Sequence, residues 1–200
     1  MAVLTAFKLT DHHLPASFTA PGLNEDQFLA LCEEFPDCIL EYTSDGTVIV
    51  MPPTDPENSE RVVEAVSQLR NWARAKGPGH VMGPDGGFFF RNGSRRSPDA
   101  AWFDTKRWEA AKKPGTRFPE FAPDFLIEIR SPGQRVQPLR EKMEEYIANG
   151  VALGWLIDPV SKTVEIYRPE RDSEVLDQPL NISGEGPIAG FVLDLSRILY

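Results

Sequence analysis

The segment Phe125-Leu-Ile-Glu-Ile-Arg130 constrains this chain more than any other, because it is nearly all apolar and yet carries a carboxylate near its centre. A strand buried on both faces reads as such a run. In strand geometry Phe125, Ile127 and Ile129 share one face, and Leu126, Glu128 and Arg130 share the other. Glu128 is therefore costly to desolvate unless it has a partner. That partner is either Arg130, in a structural ion pair, or a set of charged groups gathered for chemistry.

The rest of the chain supplies elements to pack around this strand. Asn24 with Gln27 resembles a reciprocal N-cap, predicting a helix over 25–35 that Pro36 stops. The runs 39–42 and 47–51 flank Ser44-Asp45-Gly46, a hairpin signal, and Glu41 lies on the first of them. Val62, Val66, Leu69 and Ala73 recur at helical spacing, predicting a helix over 57–76 with Gly77 and Pro78 as its stop. Turns at 83–87 and at Asn92-Gly93 precede 88–90 and 99–103, which read as consecutive strands. A short helix over 106–111 and a longer one over 139–149, closed by Gly150, follow. The runs 153–157, 163–168 and 191–195 read as further strands, the first two separated by the Asp158-Pro159 turn. Residues 1–22, with Pro15 and Pro21 and no sustained period, read as an irregular arm. The order of elements predicts one α/β or α+β domain over 23–200, a mixed central sheet flanked by helices.

Charge and cysteine content bound the function. A net charge of −9 counts against nucleic-acid binding, since phosphate backbones are held by clustered Lys and Arg. The basic residues do gather locally, at Arg91, Arg95 and Arg96, at Lys106 and Arg107, and at Lys112, Lys113 and Arg117, although a solvated charge run explains such groups as well. No stretch approaches the roughly 18 apolar residues of a membrane span, and the start lacks a leader pattern, so a soluble cytoplasmic protein with no membrane partner is expected. Cys32 and Cys38, with no second pair and no nearby histidines, suggest reduced thiols and no zinc site.

Two further positions join Glu128. Asp99 opens a strand directly after Pro98, where it is either a turn residue or a second acid beside Glu128. Two carboxylates at the ends of adjacent strands can share one hard cation, and Mg²⁺ is typically held by one or two carboxylates with waters. Lys142 and Tyr146, four apart, share a helix face bordering the stripe of Leu139, Met143 and Ile147. Lys142 either reaches over the sheet from there or lies exposed beside Glu145 or Glu141.

Taken in order, Glu41-Tyr-Thr-Ser-Asp-Gly46 leading to Val50-Met-Pro-Pro53, Ser97-Pro98-Asp99, Pro123-Asp124-Phe-Leu-Ile-Glu128 with Ser131-Pro132, Arg140-Glu-Lys142 with Tyr146 and Gly150, and Trp155-Leu-Ile-Asp158-Pro159 resemble the Uma-type restriction endonuclease family. The resemblance implies a restriction-endonuclease-like fold and a PD-(D/E)xK site, with Asp99 and Glu128 as metal ligands for Mg²⁺ or Mn²⁺ and Glu41 as a further carboxylate. The position two after Glu128 holds Arg130, so the lysine role passes to Lys142, and Asn58 stands where such proteins often carry a histidine. The implied activity is DNA phosphodiester hydrolysis, with Arg130, Arg96 and Tyr146 as substrate contacts and a homodimer as the assembly. Lysine suits this chemistry because burial can depress its pKa, whereas arginine stays protonated. Two other readings remain open: a non-catalytic binding module in which Glu128 pairs with Arg130, and a hydrolase of a small phosphodiester.

Overall fold

The computed structural model describes residues 15–76, 79–112, 114 and 119–200. Part of the expected arm (1–14), the Gly77-Pro78 stop, Lys113 and Arg117 lie outside the described residues. Residues 16–19, read from sequence as irregular, form strand β1 (Ala16–Thr19), because their backbone pairs with an open strand edge. That edge belongs to the predicted hairpin of β2 (Ile39–Tyr42) and β3 (Thr47–Met51). Gly46 in its turn takes a φ of 90°, which a β-carbon disfavours. Between β1 and β2 lies α1 (Glu25–Glu34), opened by the predicted capping box of Asn24 and Gln27.

The long helix α2 (Pro56–Lys76) buries Val62, Ala65, Leu69 and Ala73, the stripe its spacing predicts. It leads to β4 (Gly79–Met82), β5 (Phe88–Phe89), β6 (Arg95–Arg96) and β7 (Ala100–Asp104). The sequence showed neither β4, whose four residues are all half-buried and so lack alternation, nor the two-residue β6. Gly79 is required in β4, since a β-carbon there would come within 2.4 Å of Trp102 Nε1. After α3 (Thr105–Ala111) come β8 (Phe125–Ile129), α4 (Val136–Ala148), β9 (Leu153–Asp158) and β10 (Thr163–Tyr167). The chain ends through β11 (Glu174–Asp177), β12 (Asn181–Ser183) and β13 (Val192–Asp194). Helix α4 begins three residues before the predicted start, because Pro138 sits in its first turn, where no N–H is needed.

The strands form a five-stranded sheet in the order β1-β3-β2-β6-β5, a six-stranded sheet in the order β11-β10-β9-β8-β7-β4, and the β12-β13 ribbon. The larger sheet is mixed: β8 and β9 run parallel and its other neighbours antiparallel. Phe88–Phe89 and Ala100–Asp104, which read as consecutive, therefore lie in different sheets, because β6 turns back between them to pair with β5 and β2. Strand β8 is interior and buried along its whole length. Phe125, Ile127 and Ile129 pack with Val62 and Leu69 of α2, while Leu126 packs with Leu139, Met143 and Tyr146 of α4. The two faces are those expected from the alternation, and α4 covers the face that carries Glu128. No described helix is long and apolar enough to cross a membrane.

Candidate active site

The register of β7 and β8 pairs Ala100 with Ile127 and Ala101 with Leu126, so one step further Asp99 stands opposite Glu128. Directly opposed residues share a sheet face. Glu128 is only 5% exposed and Asp99 is half-buried. The Oδ2 atom of Asp99 accepts the backbone N–H of Ile129 at 2.7 Å, and Glu128 Oε1 accepts the Tyr146 hydroxyl at 2.7 Å. Lys142, from the helix above, brings its Nζ to 2.8 Å from Glu128 Oε1 and 2.8 Å from Glu41 Oε1.

Glu41 comes from the other sheet. Alternation along β2 sends Leu40 and Tyr42 into the core shared with α1 and leaves Glu41 on the opposite face, toward α4. Both of its oxygens are engaged: Oε1 accepts the Ser97 N–H at 3.0 Å as well as Lys142, and Oε2 accepts Arg96 at 3.1 Å. Arg96 also pairs with Glu145 of α4. Its neighbour Arg95 points the other way, onto the rings of Phe28, Tyr42 and Phe89, and donates to the carbonyl of Leu23 at 3.2 Å. The two arginines are 8% and 6% exposed, so neither forms the surface phosphate patch that their clustering in sequence suggested.

The electrostatics follow from burial and from this charge set. Burial pushes the Asp99 carboxyl up to about 7, and the Glu128 charge adds to the effect. Glu128 is also raised, burial outweighing the pull of Lys142. At Glu41 burial acts in the same direction, but Lys142 and Arg96 overcome it and hold the carboxyl below its ordinary value. Lys142 was expected to have its pKa depressed by burial; instead Glu128 and Glu41 outweigh that burial and raise it above the ordinary lysine value. Burial beside Glu128 also drives the Tyr146 phenol well above its usual range.

The structure thus brings Asp99, Glu128, Lys142, Glu41, Arg96 and Tyr146 together and leaves Arg130 apart. Arg130 does not pair with Glu128: the strand ends at Ile129, and its guanidinium donates to Asp158 Oδ2 and to the carbonyl of Gln134, both at 2.8 Å. Arg96 and Tyr146, expected as substrate contacts, are buried and bound to the site's own carboxylates. Glu145, which the sequence offers only as a surface partner for Lys142, pairs instead with Arg96. Glu165 carries the same signature as Glu128, an acid inside an apolar strand. It is 3% exposed and satisfied by Arg140 and by the Tyr167 hydroxyl at 2.7 Å.

Among the described residues no three His, Cys, Asp or Glu side chains converge as a ligand set, and the space between Glu41 and Glu128 is bridged by the Lys142 ammonium. The donor chemistry nevertheless suits a hard divalent cation. Asp99 Oδ1 and Glu128 Oε2 make no hydrogen bond to any described residue, and the carboxylates of the cluster outnumber its two cations. Asn58, at the position where a histidine often stands, is buried in the first turn of α2, its amide nitrogen 3.2 Å from Thr54 Oγ1.

Residues 25–196 match the model of the Uma2 family, described as "Putative restriction endonuclease". A solved structure is similar over 88% of this chain and 97% of its own, with a TM-score of 0.73 and 26% sequence identity; it is the crystal structure of a "putative nuclease belonging to DUF820" from Anabaena variabilis. A search of the curated proteins gave no match. The restriction-endonuclease-like architecture expected from the sequence, a mixed sheet flanked by helices, is the one observed.

Proposed function

Because the chain belongs to the Uma2 family of putative restriction endonucleases, we propose that the cluster of Asp99, Glu128 and Lys142 is the active centre of a PD-(D/E)xK-type, metal-dependent endonuclease that hydrolyses DNA phosphodiester bonds. One observation carries this reading: Asp99, at the entry to β7, stands opposite Glu128 of β8 on one sheet face, and a buried lysine from the covering helix reaches Glu128. Asp99 and Glu128, each with one carboxylate oxygen that makes no hydrogen bond to described residues, would hold Mg²⁺ or Mn²⁺. A cation bound there would supply Lewis acidity for water activation and for charge on the phosphate.

Lys142 keeps its proton at neutral pH, so it acts as a fixed positive charge beside the developing phosphorane and not as the base. Glu41 uses both oxygens inside the protein and is therefore the residue that positions Lys142. Arg96 and Tyr146 orient Glu41 and Glu128 in the same way. Arg130, at the exit of β8 with its Nε and one NH tied down, offers its remaining NH to a phosphate oxygen. A homodimer, each copy cutting one strand, is the assembly we assign to double-strand cleavage.

A second reading, hydrolysis of a small phosphodiester, draws support from Arg95 and Arg96 being consumed in the interior of an acidic protein. Incubation of the protein with Mn²⁺ and either supercoiled plasmid or bis-p-nitrophenyl phosphate separates the two. Nicking of the plasmid with little turnover of the small ester supports the endonuclease. The converse result supports the alternative, and inertness toward both contradicts each.

A further inference from the structure

The Lys142 ammonium lies 2.8 Å from Glu128 Oε1 and 2.8 Å from Glu41 Oε1, with its side chain 11% exposed. It also sits 5.7 Å from the centre of the Tyr146 ring, which adds a cation–π attraction. The residues around it are arranged to keep it there: Ser97 N–H and Arg96 fix Glu41 on one side, and the Tyr146 hydroxyl fixes Glu128 on the other. A buried carboxylate pair needs a positive charge to stay folded, and here the chain provides that charge itself. The same ammonium occupies the space between Glu41 and Glu128, so of these two acids only Glu128 is left to share with a cation beside Asp99.

We infer that Lys142 is a resident counter-cation of this site, which makes the folded protein independent of metal and weakens its affinity for divalent cations by like-charge repulsion. This rests on the reading that Asp99 and Glu128 form a cation site. A dication held by Asp99 and Glu128 would share the Glu128 carboxylate with the ammonium, and two positive charges on one carboxylate oppose each other even where solvent reaches them. Lys142 therefore sets the divalent-cation concentration at which the site fills, apart from any part it plays in cleavage.

The test is calorimetric titration of Mn²⁺ into the full chain and three variants, with circular dichroism to report folding. Lys142→Met removes the charge at similar volume and should bind Mn²⁺ at least about tenfold more tightly than wild type. Lys142→Arg keeps the charge and should show no gain. Asp99→Ala should abolish the heat in every background. If Lys142→Met folds only when Mn²⁺ is added, the inference is supported in its strongest form, because the metal then replaces the missing cation. A folded Lys142→Met that binds no more tightly than wild type overturns the inference while leaving the cation site standing, as does one that stays unfolded in millimolar Mn²⁺. If wild type and a folded Lys142→Met both fail to take up Mn²⁺, the cation-site reading fails and the inference with it.

Discussion

An acid that is partly buried and faces a second acid keeps its proton to higher pH unless a cation joins it, and Asp99 is in that position. Its folded-state pKa of about 7 lies above the ordinary 3.8, so between about pH 4 and pH 7 the folded chain retains a proton that the unfolded chain releases. The stability this residue contributes is full below pH 4 and is lost as pH rises to 7. In EDTA, the melting temperature of Asp99→Asn relative to wild type should therefore climb across that window and level off above it. A constant offset from pH 4 to 8 would show that Asp99 titrates normally. Lys142, held charged by Glu128 and Glu41, has a different task. Lys142→Ala should slow cleavage by about 10²–10³-fold, the scale of losing one charge-stabilising donor, and an unchanged rate would contradict that role. Glu128 was legible in the sequence because an acid in an apolar strand demands a reason. Glu165 meets the same criterion and is structural, so the signal identifies buried acids without saying which of them do chemistry.

At the scale of elements, helix α4 is the part that turns two strand acids into a site. It delivers Lys142, Glu145 and Tyr146 to the upper end of the sheet and Arg140 to Glu165 of β10, so ion pairs hold it over three strands. Arg140→Ala leaves the Glu165 carboxylate buried with Tyr167 as its remaining donor. The cost should be about 1–3 kcal/mol by urea denaturation, toward the lower end because the Arg140 side chain is 43% exposed. A loss below about 0.5 kcal/mol would mean that the Arg140–Glu165 pair does not help to fix α4. The amphipathic helices and the apolar strands were readable because burial imposes their period on the sequence. Strands β4 and β6 were not, since four half-buried residues and two buried arginines carry no period at all.

At the scale of the whole molecule, the site lies where the two large sheets meet. Glu41 and Arg96 come from the smaller sheet, Asp99 and Glu128 from the entry to β7 and from β8 of the larger one, and the segment Ser97-Pro98 links them. That juxtaposition was not legible, because strands close in sequence read naturally as neighbours in one sheet, and only the backward turn of β6 separates them. Its consequence is that several carboxylates share two cations in a buried junction, a charge imbalance that a divalent ion would relieve. The most direct test of this arrangement as an active centre is the nicking of supercoiled plasmid in Mn²⁺ by wild type and by Asp99→Ala at equal concentration, both verified as folded by circular dichroism. Wild type should convert the plasmid to open circles in a reaction that EDTA stops, and Asp99→Ala should leave it supercoiled; equal nicking by the two proteins would contradict the assignment.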